Sequence, residues 1–252
     1  MKTALITGSS RGIGLALATA LLARGWQVHG LARRAPESLQ SQPAYSHTCC
    51  DLSDLDALPE QMARFLEQRP RMSRIDLAFL NAGQFGSSIS KVSDLTLQEL
   101  HYLQSLNAFS AKLVLDALIK AGVDLPLCAV SASIAGKRAR AGNGGYAISK
   151  ATLAMLMELY ALEHPQTFFA VIGLCVVDTH LSFKIGDLPL SDDPVFAPQA
   201  MLRARAKGSA YVVTPEQRAE HLLSTLLPEP DPRLVSGQFV EMRSLLNADH
   251  VT

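Results

Sequence analysis

Short apolar runs alternate with longer stretches of helical period along most of this chain, as expected of successive β-α-β units around a parallel sheet. Residues 2–7 read as a buried strand, Gly12 to Arg24 as a helix stopped by Gly25, and Trp26 to Ala32 as a second strand. A third strand from about Tyr45 to Cys50 ends at Asp51 and precedes a helix over about Leu55 to Gln68. Ile75 to Leu80 forms a fourth strand. Thr96-Leu97-Gln98-Glu99 has the form of a capping box and opens a long helix to about Ala121, with Gly122 as its stop signal. Pro126 to Ser131 and Phe168 to Val176 read as the fifth and sixth strands. Between them lie a Gly-rich basic loop, Ile134 to Gly145, and a helix from Tyr146 to Glu163 that ends before Pro165.

Residues 180–213 break the alternation. They hold Pro189, Pro194 and Pro198 with a short helix near Gln199 to Ala206, an excursion long enough to act as a substrate lid. Its apolar side chains Leu181, Phe183, Leu188, Val195, Phe196, Met201 and Leu202 suffice to enclose a hydrophobic or aromatic compound. Thr214-Pro215-Glu216-Gln217 then caps a helix to about Leu227, and Ser236 to Met242 supplies a last strand. The predicted class is α/β: a Rossmann-like, doubly wound, mainly parallel seven-stranded sheet with helices on both faces. With no internal repeat or linker, residues 1–252 read as a single domain for dinucleotide binding and catalysis.

Composition narrows the partner. The chain is 48% apolar and 18% charged, and its 23 basic and 23 acidic side chains cancel, so nothing calls for nucleic acid or an anionic membrane. A small molecule is the expected partner. The opening Met1 to Thr7 is too short an apolar run for a signal peptide, and no stretch reaches the roughly 20 apolar residues of a membrane span. Cysteines at 49, 50, 128 and 175 show no disulfide-framework or CxxC spacing, and the histidines never pair at i,i+4. A reduced, cytoplasmic protein without a metal site is expected.

The segment Thr7-Gly8-Ser9-Ser10-Arg11-Gly12-Ile13-Gly14 joins the first strand to the first helix. Small residues there let backbone N–H groups approach a pyrophosphate at a helix N-terminus. At the end of the second strand, where an acidic residue would accept from an adenosine ribose hydroxyl, stand Ala32-Arg33-Arg34. Arg33 and Arg34 cannot accept from a 2′-hydroxyl but can clamp a 2′-phosphate, and Arg11 can reach the same group, so NADP(H) is the expected cofactor.

Further along, Tyr146-Ala147-Ile148-Ser149-Lys150 sets a phenol and an amine four residues apart on one helix face. An ammonium beside the phenol would lower its pKa from about 10 and make it a usable proton donor.

The ordered pair of Thr-Gly-x-x-x-Gly-x-Gly and Tyr-x-x-x-Lys resembles the short-chain dehydrogenase/reductase family in its single-domain form. The resemblance implies a carbonyl or alcohol substrate and a catalytic set of Tyr146, Lys150, Ser133 and Asn107. Tyr146 would protonate the developing alkoxide, Ser133 would polarise the carbonyl, Lys150 would also bind the nicotinamide ribose, and Asn107 would anchor a relay water. Asp51-Leu52 would meet the adenine, and Asn81-Ala82-Gly83 would pack beside the adenosine. Val177 and Thr179 match the family's Pro-Gly-x-Val-x-Thr segment and would contact the nicotinamide carboxamide, but Leu174-Cys175 stands where Pro-Gly is usual.

The resemblance also implies a homodimer or homotetramer built on the helices 97–121 and 146–163. Ala111, Leu115, Leu118, Leu153, Leu156 and Leu159 are available for that contact or for the chain's own sheet. The end of the chain lacks the Asp-Gly-Gly segment of ketoacyl reductases. Lys137, Arg138 and Arg140 form either a solvated face or a contact for an anionic substrate group. Two alternatives remain beside a general carbonyl reductase: a relative of the sepiapterin- and benzil-reductase branch, and a cofactor-binding sensor without turnover.

Overall fold

A computed structural model describes residues 1–206 and 212–246, excluding the side chain of Phe183 and a few others in the 180–213 excursion. The strands are β1 (Thr3–Thr7), β2 (Gln27–Ala32), β3 (Tyr45–Cys49), β4 (Leu77–Leu80), β5 (Leu127–Ala132), β6 (Phe168–Gly173) and β7 (Phe239–Glu241). The helices are α1 (Gly12–Ala23), α2 (Leu58–Glu67), α3 (Leu97–Gln104), α4 (Ser110–Lys120), α5 (Gly144–Glu163), α6 (His180–Asp187), α7 (Ala197–Ala206), α8 (Pro215–Leu226) and α9 (Met242–Leu246).

The strands form one sheet in the order β3-β2-β1-β4-β5-β6-β7, and every pairing is parallel. Alternate residues of each strand go to opposite faces. Leu5, Cys128 and Val130 join a core with α2, α4 and α5, whereas Ala4, Ile6 and Ala129 join a second core with α1 and α8. This two-sided burial explains the near-continuous apolar character of the central strands.

Several boundaries depart from the sequence expectation for local reasons. The helix expected from Leu55 starts at Leu58, because residues 51–57 form turns in which Asp51 Oδ1 accepts from the Ser53 amide and hydroxyl, and Asp54 Oδ1 from the Ala57 amide. The helix expected over 97–121 is interrupted by a π turn at Ser105–Phe109 between α3 and α4. The third and sixth strands end earlier than expected, the sixth at Gly173, and α5 begins two residues before Tyr146. Helix α6 was not legible; Thr179 Oγ1 accepts from the Ser182 amide at its start. Thr214 and Gln217 make a reciprocal capping box on α8. Strand β7 is shortened because the chain winds directly into α9.

Candidate active site

The order of strands places β1 beside β4, the switch point of a doubly wound sheet, at whose C-terminal strand ends such folds bind their ligands. Thr7 stitches the two strands there: its Oγ1 accepts from the Asn81 amide at 2.9 Å and the Ala82 amide at 3.1 Å. Gly8 has φ +68° and packs on this segment, since an added Cβ would lie 3.0 Å from Ala82 Cα. Gly14 is more crowded still. A Cβ on it would lie 2.3 Å from Gly8 O, so the turn closes tightly on the first residues of α1.

Arg11 stands at the N-cap of α1 without a side-chain capping bond, so its side chain leaves the first-turn amides of Gly12, Ile13 and Gly14 uncapped. Such an uncapped helix start behind a crowded glycine turn fits the pyrophosphate of a dinucleotide. Ser10 is half-buried in the same loop, while Ser9 is fully buried and hydrogen-bonded to the Tyr45 hydroxyl at 3.2 Å.

At the ends of β2 and β3, Arg33 and Arg34 are exposed, as is Arg11 in the glycine loop. Leu52 is buried. Burial alone would raise the Asp51 carboxyl, but hydrogen bonds from Ser53 and the nearby Arg33 charge bring it below the usual carboxylate range. Arg33 and Asp51 are therefore neighbours across the two strand ends.

The four catalytic candidates converge from three segments: Tyr146 and Lys150 from α5, Ser133 from the turn after β5 and Asn107 from the π turn. Lys150 is buried, and its Nζ donates to Ser131 O at 2.6 Å and lies 5.7 Å from the Tyr146 ring centroid. Ser133 follows β5, and its Oγ accepts from the Ala135 amide at 3.1 Å, which leaves its proton to donate. Gly83 brings the β4 end against this group, because a Cβ there would lie 3.1 Å from Asn107 Oδ1 and 3.5 Å from Lys150 Nζ. Gly136 lets the turn after Ser133 sit directly on α5: a Cβ there would lie 2.7 Å from Lys150 C and Ala151 N.

Asn107 lies in the π turn with its side chain fully engaged. Its Oδ1 accepts from the Gln84 amide, and its Nδ2 donates to Gln84 O and to Ser149 Oγ, each at 2.8 Å. The side chain is thus a clamp between the β4 end and α5, with no donor left to anchor a water. Ser149 was not singled out in the sequence; its place inside Tyr-x-x-x-Lys was the available signal.

Burial is the largest influence on Tyr146 and raises its phenol above the ordinary value, with a hydrogen bond from Ser133 acting downward. The expected lowering by Lys150 is not among these influences. The reason is geometric: the Lys150 ammonium lies over the ring and is bonded to Ser131 O. Burial also pulls the Lys150 amine down to about 8.

Thr179 reaches the glycine loop from the far half of the chain, with its Cγ2 3.3 Å from the Cβ position of Gly12, whose φ is +57°. Val177 is buried, and its carbonyl accepts from Ser182 Oγ at 2.6 Å. Cys175 stands in the left-handed region at φ +58°, the only non-glycine residue to do so among the described residues. The missing glycine has therefore not removed the turn. Cysteine holds it at a conformational cost.

The excursion after Thr179 covers Tyr146. Phe85, Ile89 and Phe196 form a separate apolar cluster with Tyr146, Leu181, Ile185 and Leu188 packed on it, and the Phe85 and Tyr146 ring centroids are 5.3 Å apart. Phe85, Ile89 and Ile185 were missed in the sequence. Val195 and Met201 instead face outward, Leu202 is half-buried, and Phe183 lies outside the described side chains, as do residues 207–211 of the excursion. Arg203 fixes the cover by donating from Nη2 to Ile185 O at 2.6 Å and Leu188 O at 2.7 Å.

Lys137 and Arg138 are exposed and Arg140 is half-buried. Ala111, Leu115, Leu118 and Leu153 belong to the chain's own core, and Leu156 packs on it. Leu159, with Ile148, Met155 and Leu162, is exposed on α5. Among the described residues, no three His, Cys, Asp or Glu side chains gather as for a metal, and no helix is long and apolar enough to cross a membrane.

The family model for short chain dehydrogenases matches residues 2–186. An uncharacterized oxidoreductase of Schizosaccharomyces pombe is 26% identical over 253 residues, covering 97% of this chain and 98% of that protein. A short chain dehydrogenase/reductase from Saccharomyces cerevisiae superposes with a TM-score of 0.81 at 20% identity, covering 99% of each chain. An alcohol dehydrogenase from the archaeon Thermococcus sibiricus, solved with 5-hydroxy-NADP, gives a TM-score of 0.69 at 27% identity, covering 96% of this chain and 95% of that one.

Proposed function

The chain belongs to the short-chain dehydrogenase/reductase family, and we propose that it is an NADP(H)-dependent reductase of a ketone or aldehyde that also runs in reverse as an alcohol dehydrogenase. The observation that carries this is the cluster of Tyr146, Lys150 and Ser133 beneath an apolar cover, at the switch point of the sheet.

The glycine loop with the first-turn amides of α1 would hold the pyrophosphate. Asp51, Leu52 and Asn81-Ala82-Gly83 would hold the adenosine, and Lys150, Val177 and Thr179 the nicotinamide half. Arg33, Arg34 and Arg11 around an adenosine site without a carboxylate at the end of β2 favour a 2′-phosphate. The 5-hydroxy-NADP held by the Thermococcus sibiricus relative supports the same preference.

When bound, the nicotinamide exchanges a hydride with the carbonyl carbon of the substrate. Tyr146 supplies the proton to the carbonyl oxygen, so a ketone gains one hydride and one proton to become an alcohol. Burial keeps the phenol protonated at neutral pH, as a proton donor requires. Ser133 donates to the same oxygen and stabilises the charge that grows on it. Lys150, able to hold or release a proton near pH 8, stabilises the phenolate left behind. Asn107 and Ser149 hold α5 against the β4 end so that these groups stay in register.

Oxidation of NADPH and of NADH by the wild type and by Tyr146→Phe, over ketones, aldehydes, diketones and pterins, tests this. NADPH turnover that collapses in the variant is expected. Cofactor binding without turnover on any compound would favour a sensor.

The exposed Ile148, Met155, Leu159 and Leu162 on α5 suit a face shared with a second copy, and a monomeric mass in solution would refute a homodimer or homotetramer.

A further inference from the structure

Asn143 immediately precedes α5, three residues before Tyr146, yet its side chain makes no capping bond. It is only 6% exposed, and its Oδ1 is buried without a hydrogen-bond partner among the described residues. Buried carbonyl oxygens are normally satisfied, so an acceptor held in this state implies a partner from outside the chain.

Asn143 borders a cavity of about 10 Å³ whose wall also includes Tyr146, Phe85, Ser88, Ser90 and Glu99. That volume admits one water-sized group. The other polar groups of the wall are largely engaged with their own neighbours. The Ser88 and Ser90 hydroxyls pair with each other at 3.2 Å, and the Glu99 carboxylate accepts from the Ser87 amide at 3.0 Å and its hydroxyl at 2.9 Å. Tyr146 and Phe85 join the cavity to the apolar cover over the reacting phenol.

Building on the reductase reading above, we infer that Asn143 is a specificity-determining residue whose Oδ1 accepts a hydrogen bond from the substrate. The carbonyl compounds turned over here therefore carry a hydroxyl or amino donor beside an apolar or aromatic body. A site with a buried acceptor rejects the analogue that lacks the donor, because the acceptor is then left unpaired.

Acetophenone and its three ring-hydroxylated isomers probe this, through kcat/KM with NADPH and, separately, through their dissociation constants measured by NMR titration without turnover. At least one isomer is expected to be preferred over acetophenone by about tenfold or more in both measurements, as for a single buried hydrogen bond. Asn143→Leu should erase that preference, whereas Asn143→Asp, which keeps an acceptor in the same place, should retain it.

A preference that survives Asn143→Leu would overturn the inference and leave Asn143 as the holder of an internal water. Equal affinity for all four compounds, or no binding by any, would overturn it too. Turnover without preference sinks the inference while sparing the reductase reading. Preferential binding lost in Asn143→Leu, but without turnover, does the reverse.

Discussion

The Ser149 hydroxyl accepts a 2.8 Å hydrogen bond from the Asn107 carboxamide and donates one of 2.8 Å to the Tyr146 carbonyl. This bond ties the π turn to α5 at the level of the reacting phenol. Ser149→Ala removes one partner of a buried donor and should cost about 1–3 kcal/mol, read as a lower urea midpoint. The turnover number should fall with it, because Asn107 no longer fixes α5. An unchanged midpoint would show that Gln84 alone holds the carboxamide.

Cys175 occupies a left-handed conformation that glycine adopts without penalty. Cys175→Gly should raise the thermal midpoint by the equivalent of about 1 kcal/mol, while Cys175→Val, β-branched at a positive φ, should lower it. A loss of stability in the glycine variant would mean that the packing of the thiol against the α1 and α8 core outweighs the backbone strain.

Gly136 lies against the backbone of α5, where no flexible side chain can yield. Gly136→Ala should destabilise by about 1–3 kcal/mol and lower kcat, since the new methyl separates the turn after Ser133 from Lys150. Denaturant titration alongside steady-state kinetics would separate the two effects. Wild-type values in both would refute the tight fit.

Lys150 gives a pH signature. Its folded pKa of about 8 lies below the ordinary 10.5, so the unfolded chain binds more protons between these values, and stability from this group rises as pH increases through that window. Below about 8 the full penalty of a buried charge is present. Comparing unfolding free energies of wild type and Lys150→Met at pH 7 and pH 9.5 should show the wild type gaining on the variant by up to a few kcal/mol. Parallel pH profiles would contradict a buried, depressed amine.

Arg33 and Arg34 bear on cofactor choice. Replacing both with Ala should raise the KM for NADPH about tenfold or more, as expected for loss of a charge-assisted contact to phosphate, with a smaller change for NADH. Equal changes for the two cofactors would remove the 2′-phosphate from the account.

The order of elements was legible because each depends on local pattern. Apolar runs of strand length fed by helical repeats fix a doubly wound sheet, and Thr96 and Thr214 mark helix starts through side chains that cap their own backbones. The start of α2 drifted where side chains bond to nearby backbone, as at Asp51 and Asp54, since such turns compete with helix over a few residues.

By itself, the sequence determined the parallel sheet, the glycine turn at the first helix and the Tyr146 and Lys150 pair, because local pattern and spacing announce all three: strand-length apolar runs alternating with helical repeats, clustered glycines between strand and helix, and a four-residue step along one helix face. Tertiary structure alone decided that Asn107 would lie in a π turn and clamp Gln84 to Ser149, and that Thr179 would meet Gly12. It also decided that Phe85 and Phe196 would close over Tyr146, and that burial would govern the Tyr146 and Lys150 pKa values. The reason is that these contacts join residues distant in the chain, and desolvation depends on every segment packed around a group rather than on its neighbours in sequence.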